Sequence, residues 1–302
     1  MPSARFQVDG PLELARTLAP LRRGLGDPTL RLERNRCVRA TRTADGAATV
    51  ALELRGSVLH AEAWGPGAER ALAGVPALAG LDDDRTGFVA HHPLVAELDR
   101  VYRGVRIGRS GAVLESLVPA ILEQKVTGEE ARTAFRGLVR RYGEPAPGPA
   151  ELRLRLPPSP ERLAALPYYE FHPFGVERRR ADVIRRVAAR AAWFEAIVEL
   201  PLETAYARLT ALPGLGPWTA AEVAVRALGD ADAVSVGDYH LPGLVSRALA
   251  GDPDGDDARM LALLEPYRPQ RGRVIRLLES AGSALWGERH GPRMPPRRIE
   301  SA

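Results

Sequence analysis

Apolar and polar residues alternate through most of the first ~90 positions, and from Pro93 onward apolar residues recur three and four apart instead. After a short opening helix, Cys37 to Thr43 and Ala48 to Leu54 read as strands flanking the turn Ala44-Asp45-Gly46-Ala47, and Ser57 to Trp64 supplies a third strand after Gly56. A small antiparallel sheet is expected. Gly67 to Ala73 predicts a short helix that Gly74 and Pro76 stop, and the run Asp82-Asp83-Asp84 reads as a solvated linker at a boundary. From Pro93 to about Trp286 the spacing of Leu, Val and Ala predicts helices of roughly 10–18 residues separated by Gly/Pro segments. Glu144 to Pro149 is a proline-rich connector that cannot continue a helix, so it is expected to divide the helical part into two lobes. The fold class is therefore α+β: a sheet-bearing domain over residues 1–90, an all-α core over 91–286, and a polar tail over 287–302 that is expected to be mobile. No internal repeat is found.

Composition narrows the classes. At 302 residues and 45% hydrophobic content the chain can bury a core in each of two domains. No stretch approaches the roughly 20 apolar residues of a membrane span, and MPSARFQVDG lacks the apolar centre of a signal peptide. A cytoplasmic, nucleoid-associated monomer with no membrane partner is the expectation. Cys37 is the only cysteine, which excludes an internal disulfide, a thiolate-rich zinc site and a four-cysteine iron–sulfur cluster. A net charge of +4 and a pI near 9.5 fit a polyanionic partner without identifying one. Of the 42 basic residues, all but Lys125 are arginine, so the single lysine is the residue that needs a reason.

The segment Leu212-Pro213-Gly214-Leu215-Gly216-Pro217-Trp218-Thr219 sits between two expected helices. Glycines at i and i+2 allow positive φ and close backbone approach, Pro217 suits the first helical position, and the new helix presents free N–H groups. Such a turn binds phosphate without reading base sequence. A plain helix-to-helix turn uses the same glycines for packing alone.

Continued to Ser235-Val236-Gly237-Asp238-Tyr239-His240, this segment resembles the helix-hairpin-helix DNA glycosylase superfamily, in particular the bacterial 3-methyladenine DNA glycosylase II type. The resemblance covers about residues 93 to 285 and implies a two-lobed helical core acting on double-stranded DNA that carries a damaged base, with base flipping and hydrolysis of the N-glycosidic bond. It places the catalytic aspartate at Asp238. Breaking that bond develops positive charge on the sugar, which a carboxylate can stabilise while directing water. A helix cap is the structural alternative for Asp238. The hairpin residues implied are Leu212, Gly214, Leu215, Gly216 and Thr219. Trp218 falls where lyase-competent relatives carry a lysine, which implies hydrolysis without strand cleavage, and it aligns with a pocket tryptophan. Glu222, Glu279 and Ser280 stand where some relatives carry aromatic residues. Glu222 is either a base-reading group or a surface helix residue. Tyr239 is a further pocket candidate, and the run Tyr168-Tyr169-Glu170-Phe171-His172-Pro173-Phe174 either lines the cleft, with Glu170 and His172 reading the base, or packs a core. The end of the helix Leu114 to Thr127 is similar to the family's intercalating segment, which puts Gln124 and Lys125 at a wedge. No metal or cofactor is required, though a monovalent cation can bridge hairpin carbonyls and phosphate. Two other readings stay open: a non-catalytic module for abasic or branched DNA, and a bifunctional glycosylase/lyase using Lys125.

Overall fold

The computed structural model describes residues 2–282; the expected mobile tail over 287–302 lies outside them. The chain opens on a strand, not a helix. Strands β1 (Ser3–Gln7), β2 (Leu30–Glu33), β3 (Arg36–Thr43), β4 (Gly46–Arg55) and β5 (Val58–Trp64) form one antiparallel sheet in the order β1-β5-β4-β3-β2. The β3–β4 turn is tighter than the sequence suggests, because Thr43 pairs with Gly46 and Gly46 takes φ 121°. Cys37, Leu52, Leu59 and Ala61 face the short helices Leu14–Leu18 and Ala68–Ala73, and each fully buried leucine there contributes about 1.5–3 kcal/mol. Burial pushes the Cys37 thiol up to about 12, so it behaves as a small apolar residue.

The connector after Tyr142 does not divide the lobes. Its prolines do forbid a helix, but the backbone turns back on itself, with Ala146 N–H donating to Leu154 O (3.0 Å) and Leu156 N–H to Glu144 O (2.8 Å). Leu154 and Leu156 then cover Val38 and Ala40 on the second face of the sheet. The helical part divides elsewhere. One core runs from Val113 to Ala227; the other joins Val95 and Leu98 to residues from Leu241 to Leu278, so that helix Pro93–Val101 packs on helix Arg271–Ala281. Several of the helices after Pro93 are shorter than expected, down to five residues at Ala191–Glu195. The chain passes from the first lobe to the second through residues 229–240, and Asp238 lies on that crossing.

The acidic run is not a solvated linker either. Asp82 meets Arg109 at the surface (2.6 Å) and Asp84 accepts the Thr86 N–H (2.8 Å), but Asp83 is buried against Arg273. No helix among the described residues is long and apolar enough to cross a membrane.

Candidate functional site

Helix Leu202–Thr210 ends in the turn that leads to helix Pro217–Val223, with Pro217 at its first position. Leu212 and Leu215 are buried in the first-lobe core and anchor the turn, so they hold its shape and do not present themselves to a ligand. The two glycines differ. Gly214 takes φ 103°, and a Cβ there would lie 2.5 Å from Val183 Cγ2. Gly216 is extended (φ −103°, ψ −179°), caps the second helix, and has open space where a Cβ would sit. Of the two properties that glycine allows, positive φ is used at Gly214 and open backbone at Gly216, whose lack of a side chain keeps the helix start accessible. Gly214→Ala is therefore expected to cost about 2–4 kcal/mol from strain and overlap, and Gly216→Ala under about 1 kcal/mol, as read by urea unfolding.

Thr219 is buried and faces inward. Its hydroxyl accepts a hydrogen bond from Gln124 Nε2 (3.0 Å), which also donates to Gly214 O (3.0 Å), so the segment that carries Lys125 is tied to the hairpin. Helix Val113–Leu122 has already stopped there, and Thr127 and Glu130 form a reciprocal cap on the next helix, Gly128–Tyr142. Lys125 sits exposed at the apex between them in the left-handed region (φ 56°), a conformation that a lysine adopts at a cost of about 1–2 kcal/mol. The carbonyls of Leu212, Pro213, Gly214 and Gly216 each accept a hydrogen bond, so a cation at the hairpin would share its oxygen ligands with those donors.

Asp238 follows Gly237, which takes φ 88° and donates its N–H to the Asp257 carboxylate. Asp238 Oδ1 accepts the N–H groups of His240 (2.8 Å) and Leu241 (2.9 Å) at the start of helix Leu241–Ala250. Its Oδ2 accepts Trp218 Nε1–H at 3.1 Å. The carboxylate thus caps a helix and meets the indole beside the hairpin at once. Three donors fix its orientation, and a positive charge developing beside it would be stabilised.

Glu222 is placed differently from a free base-reading group. It lies one turn beyond Trp218, largely buried, and its carboxylate is taken by Arg226 and by Ser235 Oγ (2.6 Å). Burial disfavours its charge, but Arg226, Ser235 and Arg23 outweigh that and hold the carboxyl below the usual range. Glu279, on the neighbouring helix, is raised by burial and by Glu222. The Arg23 guanidinium, buried beside Arg226, is lowered to about 10. Ser235 O in turn accepts the Asp238 N–H (3.2 Å), so this charged cluster backs the Asp238 loop. The Glu222–Arg226 spacing of four was a visible signal; the roles of Ser235 and Arg23 depend on distant chain segments and had none.

The aromatic run packs into the first lobe. Residues Tyr168–Phe174 form a 3₁₀ segment against helices Gly128–Tyr142 and Arg178–Ala188, where Phe171 is core, Phe174 packs on Gly137 and Glu170 accepts the Tyr142 hydroxyl. Tyr168 packs edge-on to Tyr169 and His172, at 5.9 and 5.3 Å between ring centroids, and under the Arg178 guanidinium (4.7 Å). Tyr239 is 64% exposed, with its ring against His240. A cavity between sheet and helices, lined by Arg39, Arg42, Glu115, Phe135 and Glu195 among others, contains none of the site residues.

The family model described as HhH-GPD superfamily base excision DNA repair protein matches residues 118–269, a span that includes Gln124, Lys125, the hairpin and Asp238. The Mycobacterium tuberculosis protein named "Probable bifunctional transcriptional activator/DNA repair enzyme AlkA" is 35% identical over 142 residues, 46% of this chain and 28% of that protein. The chain therefore matches little more than a quarter of that relative's length. Among solved structures, the 3-methyladenine DNA-glycosylase from Archaeoglobus fulgidus superposes with a TM-score of 0.74 at 18% identity, covering 91% of this chain and 97% of that one. The Clostridium acetobutylicum 8-oxoguanine glycosylase/lyase, in complex with double-stranded DNA, gives 0.61 at 15% identity over 83% and 96% of the two chains. These likenesses establish a shared fold.

Proposed function

Because the chain belongs to the HhH-GPD superfamily of base excision DNA repair proteins, we propose that it is a monofunctional DNA glycosylase that releases alkylated purines from duplex DNA. The observation that carries this reading is the Asp238 carboxylate, held by Trp218 Nε1–H and two backbone N–H groups beside the hairpin. In this reading the hairpin amides grip the backbone, Lys125 enters the stack from its turn, and the extruded base lies against Trp218. The C1′–N bond breaks with its electron pair leaving on the base, Asp238 stabilises the sugar cation, and water adds to C1′ while Asp238 takes a water proton. A purine made cationic by alkylation departs as a neutral molecule without a proton from the protein, and its charge gains about 0.5–2 kcal/mol over an indole face. Hydrolysis without strand cleavage is supported by Trp218 at the position where lyase-competent relatives carry a lysine.

The test is release of free base from duplexes carrying 3-methyladenine, 7-methylguanine, 1,N6-ethenoadenine, hypoxanthine or uracil, run alongside borohydride trapping. Release of the N-alkylated purines with no trapped adduct is expected. Release of uracil alone would overturn the substrate class, and no release from any duplex would overturn the activity. A trapped complex, which only Lys125 or the terminal amine can form, would overturn the monofunctional assignment.

A further inference from the structure

We propose that the helix Arg178–Ala188 carries a second phosphate-binding track, which continues the hairpin's grip along the DNA backbone; its partner rests on the glycosylase reading. Residues 178–190 contain six arginines against one acid, Asp182. Composition alone would not distinguish this from the arginine bias of the chain. Placement does.

The helix is fastened to both elements assigned to the backbone and the stack. Buried Arg180 donates through Nη1 to Leu122 O (2.7 Å) at the end of the helix that leads to Lys125. Three residues on, Val183 fills the space left by the missing Cβ of Gly214, and Arg186 Nη2 donates to Pro213 O (3.0 Å). Arg179 and Arg186 are seven apart and share one helical stripe that borders Val183, and Arg190 follows just past the helix end. All three are exposed, and among the described residues no ion pair is recorded for them, whereas Arg178 and Arg185 share Asp182 at 3.6 and 3.3 Å. Some other surface arginines of this chain pair with acids three residues away, as in Arg100–Glu97, Arg132–Glu129 and Arg268–Glu265, so exposure alone does not single out this helix and its junction with the hairpin does. Arg179, Arg185 and Arg186 also border an open depression with Asp182, Ala164 and Ala189, in which three guanidinium groups face one carboxylate. Like charges on one helix face repel. A polyanion laid along that face removes the repulsion, and a backbone already held at the hairpin amides passes beside it.

The test is the salt dependence of duplex binding between 50 and 200 mM. Each phosphate neutralised contributes a slope of about −0.9 in log K against log salt, so Arg179→Ala/Arg190→Ala should flatten the slope by about 2. Over that fourfold change in salt, the wild type would lose about tenfold more affinity than the variant. The pair Arg179→Lys/Arg190→Lys should keep the wild-type slope, because it preserves both charges. A wild-type slope in the alanine variant, with the wild-type protein still binding and releasing base, overturns the track and leaves the glycosylase reading standing. Failure of the wild type to bind the duplex overturns both. A flattened slope on duplex RNA, with DNA binding unchanged, also overturns the track.

Discussion

Asp238→Asn is expected to lower the single-turnover rate of base release by at least about 10³-fold, while duplex affinity stays within about threefold of wild type. The two effects separate because two structures supply them. The hairpin offers backbone amides that the substitution does not touch, and loss of one negative charge does not weaken attraction to a polyanion. The amide oxygen of asparagine still accepts from His240 and Leu241, so the helix start keeps its cap. Its NH₂ group then faces Trp218 Nε1–H, donor against donor, which costs on the order of 1 kcal/mol and leaves the fold intact. Stability, affinity and rate therefore need to be measured on the same preparation. Release within tenfold of wild type would sink the role of Asp238 and put the catalytic group elsewhere, whereas no release by either protein would leave a binding module for damaged or abasic DNA. A parallel fall in affinity would mean that the aspartate acts by holding the hairpin, through Trp218.

What was legible in the sequence was whatever is decided locally. The β3–β4–β5 meander follows from alternation and glycine turns, and the hairpin follows from Leu212 to Trp218 because glycine spacing and a proline at the first helical position act within a few residues. Strand β1 was not legible, since its pairing partner, β5, lies more than fifty residues away and five residues carry little periodicity. Leu152, Leu154 and Leu156 do alternate, a strand-like signal masked by the prolines on both sides, and the segment packs across the second face of the sheet. Lobe membership was hidden for the same reason as β1: helix Pro93–Val101 finds its core with a helix nearly two hundred residues later. At the site, Trp218 and Asp238 are brought together, as are Gln124, Gly214 and Thr219, while Tyr168 to Phe174 pack on helices Gly128–Tyr142 and Arg178–Ala188. Residue type says that an aromatic ring will be buried or stacked. It does not say against which helix.

Asp83 and Arg273 should behave as a coupled pair whose single loss is among the most damaging changes to the fold. Their side chains are 5% and 2% exposed and meet at 2.6 Å. Arg273 also donates to Gln270 Oε1 (2.5 Å) and Asp84 O (3.2 Å), and Asp83 accepts the Ile107 N–H (3.1 Å). Asp83→Leu or Arg273→Met leaves a buried charge without its counter-ion, for which about 3–5 kcal/mol is expected, about a fifth or more of the stability of an ordinary domain. The double substitution Asp83→Leu/Arg273→Met removes both charges. It should be less destabilised than either single, retaining a penalty of about 1–3 kcal/mol for the Ile107 N–H left without an acceptor. Urea unfolding of the four proteins closes the cycle, and singles within about 1 kcal/mol of wild type, or a double no better than the singles, would falsify the coupling. The pair also bears on activity. Arg273 N–H donates to Ala231 O (3.0 Å), and a Cβ on Gly272 would lie 2.8 Å from the carbonyls of both Ala231 and Ala233, so the helix start is pressed against the segment that carries Asp238. Arg273→Met should therefore lose base release and stability together, falling off more steeply with temperature than wild type, whereas Asp238→Asn loses release alone. Those two patterns distinguish a residue that supports the carboxylate from the carboxylate itself.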